Sequence, residues 1–203
     1  MNGSRFLTTF EQGDPHDKML LGGKGANLCE MTRIGLNVPP GFVITTEACL
    51  ACLGDAGRNL PAGLLDAART EMASLERQTG KRFGGGDDPL LVSVRSGSAM
   101  SMPGMMDTIL NLGLNETTLA ALIRHTGNER FGFDAWRRFI QLFGKVALGV
   151  PDALFDEQFE AVKTRVGVKQ DVMLGADELR EIGERFLQVV QRHTGQPFPA
   201  DPY

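Results

Sequence analysis

The sequence predicts an α+β chain in two parts, and three observations carry that reading. Short runs of apolar and β-branched residues lie at 42–44, 90–94 and 109–112, bounded by glycine or proline turns. Two glycine-rich stretches, 22–25 and 97–104, accompany those strands. Beyond residue 112 glycine and proline become sparser, and apolar residues recur at helical spacing. The division is therefore placed at 112/113: residues 1–112 mix strands and helices, and 113–203 form a small all-α part.

The first part reads as follows. Residues 5–10 (RFLTTF) alternate weakly, as an edge strand does, and Glu11 to Lys18 form a polar turn. Leu20 and Leu21 run into Gly22-Gly23-Lys24-Gly25. A helix follows from about Ala26, with Leu28, Met31 and Ile34 at helical spacing and Gly35 to end it. Pro39-Pro40-Gly41 is a rigid turn, Phe42 to Ile44 a strand, and Thr45/Thr46 the cap of the next helix with Glu47 in its first turn. Pro61 to Thr79 is a helix with Leu65, Ala68, Met72 and Leu75 as its apolar stripe. Residues 80–89 (GKRFGGGDDP) are a connector: the three glycines Gly84 to Gly86 precede a strand, so no helix end follows to receive an anion.

The second part reads as four helices. Asn115 or Glu116 starts one that ends at Thr126-Gly127. Asp134 caps a second through Leu148, with Trp136, Phe139, Ile140, Phe143 and Val146 inward. After Gly149 and Pro151 comes a third, striped by Leu154, Phe155, Phe159 and Val162. Asp177 opens a fourth, striped by Leu179, Ile182, Phe186, Val189 and Val190. These stripes are core positions, and Arg137 and Arg138 are read as charges on a helix surface.

Composition narrows the function. A net charge of −4 over 203 residues gives no basic footprint for nucleic acid, and no apolar run is long enough to span a membrane. The N-terminus lacks a basic-then-apolar signal, so a cytoplasmic protein is expected. Three cysteines make no disulfide framework. Cys49 and Cys52 form a C-x-x-C, but no second ligand pair stands at zinc spacing and no Trp, Gly or Pro flanks it as in redox motifs; reduced helical thiols are the simpler reading. No histidine is flanked as a nucleophile would be.

One stretch carries chemistry. From Leu91 to Asn115 the chain leaves a strand, crosses the fourteen residues Arg95 to Thr108, which are rich in glycine, hydroxyl groups and methionine, and enters a second apolar run. Small residues let backbone amides approach an anion, and Arg95 supplies fixed charge, so the segment reads as a mobile phosphate-binding loop. Lys24 lies in a glycine-rich turn feeding a helix. Its surroundings match neither a Walker A motif nor G-x-G-x-x-G, and spacing alone favours a solvated turn lysine. ATP chemistry also needs carboxylates for Mg²⁺. Asp107 stands beside the loop, as a turn cap or a metal or water contact, while Asp87 and Asp88 are adjacent and would face opposite sides of a strand. No metal site is expected within the chain.

The segments LLGGKGANLCEM (20–31), VPPGFVITTEAC (38–49), VSVRSGSAMSMPGMMDTILNLGLN (92–115) and NERFGFDAWRRFIQLFG (128–144) closely resemble the N-terminal part of the pyruvate, phosphate dikinase family. The resemblance covers essentially the whole chain, and SMPGMMDTILNLGLN is its most specific part. It implies the first subdomain of an ATP-grasp fold over 1–112, followed by a helical insertion over 113–203. It also implies ATP as ligand, with Lys24 and Arg95 contacting the phosphates as catalytic groups. The loop that closes over them brings in Gly97, Ser101, Gly104, Asp107 and Thr108. The family reaction converts ATP, phosphate and pyruvate to AMP, diphosphate and phosphoenolpyruvate through a phosphohistidine. The resemblance places that histidine, the pyruvate-binding barrel, the second ATP-grasp subdomain and the Mg²⁺-binding acids outside this chain, in an enzyme expected to be a homodimer. The piece alone is expected not to turn over. The alternatives are the ATP module of phosphoenolpyruvate synthase or a related dikinase, and a free-standing nucleotide-binding module.

Overall fold

The computed structural model describes residues 5–54, 59–96 and 107–203. It is mixed helix and strand, in the order β1 (Leu7–Thr9), α1 (Lys18–Arg33), β2 (Phe42–Ile44), α2 (Thr46–Gly54), α3 (Leu64–Thr79), β3 (Arg82–Phe83), β4 (Pro89–Leu90), β5 (Val92–Arg95), β6 (Thr108–Leu112), α4 (Glu116–Thr126), α5 (Glu129–Val146), α6 (Asp152–Val166), a 3₁₀ turn (Asp171–Met173) and α7 (Ala176–Thr194). By contacts the described residues fall into two compact units. One holds those up to Gly80 together with Ser96, and the other holds Lys81–Arg95 and Asp107–Tyr203. The contact division thus groups β3–β6 with the helices that follow. Ile109 and Leu114 are buried in the helical core, with Leu91 and Leu112 packed against it.

In the first unit β1 and β2 pair antiparallel, Thr8 opposite Val43. Thr45, 1% exposed, ties the strand to its neighbours: its amide bonds to the Phe6 carbonyl at 3.0 Å and its hydroxyl donates to the Arg5 carbonyl at 3.0 Å. It also caps α2, accepting from the Ala48 amide at 3.4 Å, as its position in the sequence suggests. A small core of Leu21, Ala26 and Cys29 lies under Phe10, Leu20 and Val43. Two sequence expectations are corrected here. Helix α1 starts at Lys18, not near Ala26, because the Asp17 carboxylate accepts from the Leu20 amide at 3.0 Å and supplies a cap before the glycines. Helix α3 starts at Leu64 after Gly63 rather than at Pro61, and it buries Leu64, Met72 and Leu75 while Leu65 remains 41% exposed.

In the second unit β5 and β6 form an antiparallel hairpin with a register shift between Val92 and Val94. Gly113 leaves β6 at φ +105, and a Cβ there would lie 2.8 Å from the Leu90 carbonyl oxygen, so only glycine fits this exit. Asn115 and Thr118 then cap α4 reciprocally: the Asn115 side chain accepts from the Thr118 amide at 2.9 Å, and the Thr118 hydroxyl accepts from the Asn115 amide at 2.7 Å. Helix α5 begins at Glu129, five residues before the expected Asp134, because the Asn128 side chain caps it through the Phe131 amide at 2.9 Å. The stripes of α5, α6 and α7 meet in one core in which Ile140, Phe155, Val162, Leu179, Ile182, Phe186 and Val190 have no exposed surface. Gly144 permits the close approach, since a Cβ there would lie 2.7 Å from the Phe155 ring.

Another correction concerns Arg137, which is not a surface charge but 7% exposed. Asp134 holds it at 2.6 Å, and its guanidinium lies over the Phe159 ring at 4.6 Å. Burial lowers its pKa, opposed by the Asp134 charge. An arginine survives this desolvation because the carboxylate satisfies its fork while the ring covers its face.

Candidate functional site

Lys24 owes its position to a break in α1. Gly22 has φ 68 and ψ 165, a backbone conformation essentially reserved for glycine, so the helix stops there and resumes with Gly23-Lys24-Gly25. The resumed segment packs closely on β2: a Cβ at Gly25 would lie 3.1 Å from Val43. The lysine is thereby half-buried in a strictly positioned turn rather than on a free loop. Its ammonium donates to the Ser96 carbonyl at 3.3 Å, a contact across 72 residues of sequence. Ser96 opens the glycine- and methionine-rich segment, and its part in holding Lys24 was not legible in the sequence, which offered it only as a small hydroxyl residue.

In the other unit Arg95 ends β5, exposed, with Thr108 directly opposite it at the start of β6. Direct cross-strand partners present their side chains on one face, so the candidate arginine and the candidate threonine share a side of the hairpin where the loop leaves and returns. Asp107, exposed, precedes Thr108. It contributes to the raised pKa of Lys145 on α5, behind the larger effects of the hydrogen bond and charge of Asp152. The candidates Gly97, Ser101 and Gly104 lie outside the described residues.

Each unit thus carries one of the two candidate cations, Lys24 in the first and Arg95 in the second. Among the described residues no group of three or more His, Cys, Asp or Glu is placed to hold a metal ion. No helix among them is long and apolar enough to cross a membrane. A shallow groove of about 330 Å³ lies on α6 and α7, lined by Leu154, Glu157, Gln158, Val189, Arg192 and His193, and it contains none of the candidate residues. Cys49 and Cys52 are free thiols on α2, and Cys29 is buried with its pKa raised by that burial.

Comparison with known proteins gives the family. Residues 18–77 match the family model described as pyruvate phosphate dikinase, AMP/ATP-binding domain. The chain is 54% identical over 194 residues to a pyruvate, phosphate dikinase of Entamoeba histolytica, covering 96% of this chain and 22% of the relative. It is 44% identical over 200 residues to that of Clostridium symbiosum, covering 98% and 23%. With pyruvate, phosphate dikinase 1, chloroplastic, of Arabidopsis thaliana the identity is 49% over 191 residues, covering 94% and 20%. The chain belongs to the pyruvate, phosphate dikinase family and spans about a fifth of the length of the curated relatives it matches.

Proposed function

We propose that this chain is the N-terminal ATP-binding portion of a pyruvate, phosphate dikinase, with residues 1–112 as the first ATP-grasp subdomain and 113–203 as a helical insertion. The supporting observation is similarity along nearly the whole chain to proteins of that name, in segments that include the Lys24 turn and the strand ending in Arg95. The comparisons do not favour phosphoenolpyruvate synthase, since the relatives described above are all named pyruvate, phosphate dikinase. In this reading Lys24 and Arg95 neutralise the triphosphate. The amides from Gly97 to Gly104 orient it under the loop, with Ser101 and Thr108 as hydroxyl contacts and Asp107 at the loop exit. Mg²⁺ would accompany ATP on acids outside this chain. The phosphohistidine and the pyruvate-binding barrel belong to the same longer enzyme, a homodimer in the cytoplasm, although the Arabidopsis relative is named as chloroplastic.

The mechanism asks these residues for electrostatics and not for bond making. Charge accumulates on the phosphate oxygens as the β-phosphate is attacked, and fixed cations stabilise it without reorganising. The second half of the ATP cleft and the acceptor histidine both lie elsewhere in this reading, so the isolated chain binds ATP weakly and does not turn over. Hydrogen exchange with and without ATP tests this. ATP should slow exchange in peptides covering 18–33 and 92–96, and no AMP should form. Unchanged exchange at saturating ATP, or steady AMP formation by these 203 residues, would overturn it.

A further inference from the structure

We propose that Cys49 and Cys52 form a redox-active dithiol on α2, closed to an intrahelical disulfide by exchange with a small disulfide oxidant such as oxidised glutathione. The three cysteines occupy two environments. Cys29 is 1% exposed in the small core, and burial raises its thiol pKa, which makes it a poor nucleophile. Cys49 is exposed, Cys52 half-buried, and both are free thiols. They stand three residues apart on a nine-residue helix, so their side chains share a face with Cβ atoms about 5–6 Å apart. A disulfide needs about 3.5–4.5 Å between Cβ atoms, so closing the bond requires a local movement of about 1–2 Å.

Helix α2 can make that movement. Ala48 is its one buried residue, and Leu50 and Leu53 are each 67% exposed, so little packing resists a change in the later turns. Tightening toward 3₁₀ geometry brings side chains at i and i+3 into register, which is the movement required. The step balances as thiol–disulfide exchange. The Cys49 thiolate, the more exposed, attacks one sulfur of oxidised glutathione and releases one reduced glutathione. The Cys52 thiolate then displaces the second. Two protein thiols are oxidised to one disulfide, one glutathione disulfide is reduced to two thiols, and the two protein thiol protons end on the glutathione thiols. Strain in a helical bridge favours reopening by a reductant, so the site is reversible.

Trypsin separates the thiols, because the peptide 34–58 contains Cys49 and Cys52 while 25–33 contains Cys29. The folded chain is equilibrated in glutathione buffers of graded ratio, quenched by alkylation and read by mass spectrometry. At the oxidised end, peptide 34–58 should lose two hydrogens and escape alkylation while Cys29 stays a thiol, and dithiothreitol should restore it. Cys49→Ser and Cys52→Ser should each abolish that species and leave a glutathione adduct on the remaining thiol. The proposal fails if wild type carries only glutathione adducts, links two chains through these cysteines, or stays fully reduced in a buffer that glutathionylates the single variants.

Discussion

Replacing Gly22 by alanine probes the feature that sets Lys24 in place. At φ 68 and ψ 165 the backbone of residue 22 lies where a Cβ is strongly disfavoured, and holding an ordinary residue there costs about 1–3 kcal/mol. The usual helical advantage of alanine over glycine gives no compensation, because this residue is not helical. At about 2 kcal/mol, opening of the local structure becomes roughly thirtyfold more frequent. The single tryptophan, Trp136, belongs to the other unit, so fluorescence is the wrong readout. Hydrogen exchange of peptides from 18–33 is the right one, with Gly54→Ala as control. Gly54 has open space around its Cβ position and ordinary φ, and alanine there should be neutral or stabilising. Gly22→Ala should accelerate exchange across 18–33 and weaken ATP binding. Slower exchange, as from a helix made continuous through residue 22, would refute the idea that the break is built into the fold and serves the lysine.

Further outcomes follow from the helical unit. Asp134→Ala should cost more than Arg137→Met, about 3 kcal/mol against about 1–2, because it leaves a buried guanidinium without its counterion, while Arg137→Met leaves Asp134 paired with Arg138 at 2.9 Å. The order of urea midpoints followed by Trp136 fluorescence checks this. Thr118→Val removes one half of a reciprocal cap and should cost about 1–2 kcal/mol in the same assay. The Asp152 carboxyl is held below its ordinary value of 3.8 by hydrogen bonds from Lys145 and Gln141. Its contribution is present above about pH 4 and is lost as pH falls through the lowered folded value. Lys145, raised above 10.5 chiefly by the same bond, contributes below that pH and loses its contribution as pH rises through the higher folded value. Both groups are largely exposed, so the effects are small, and Asp152→Asn should flatten the acid limb of a stability–pH curve by slightly lowering its neutral plateau while leaving its acid end unmoved.

Much of this architecture can be read locally. Gly127, Gly167 and Gly195 end α4, α6 and α7 in the left-handed conformation, and the third and fourth stripes meet as their spacing suggests except at Leu154, which is 36% exposed. What escapes the sequence depends on competing or distant partners. The four-residue run Gly22–Gly25 reads as a helix breaker, yet the Asp17 cap starts α1 upstream and the break occupies a single residue. Gly132 inside α5 obscures its true start at Asn128–Glu129, and a Cβ there would lie 2.4 Å from Ile123 on α4, a packing reason no local pattern reveals. Arg137 is buried because a ring from another helix covers it. Lys24 stands out as a candidate only through family resemblance, whereas Arg95 is also marked by its place at the strand exit, and the lysine's bond to Ser96 is a tertiary fact.

The account rests on both cations serving one polyphosphate. ATP titration of wild type, Lys24→Ala, Arg95→Ala and the double variant, by calorimetry at low ionic strength, measures this most directly. A charge-assisted hydrogen bond contributes about 1.5–3 kcal/mol, so each single change should weaken ATP at least about tenfold. The same changes should leave unfolding midpoints unmoved. ATP affinity unaltered by either substitution would contradict the account.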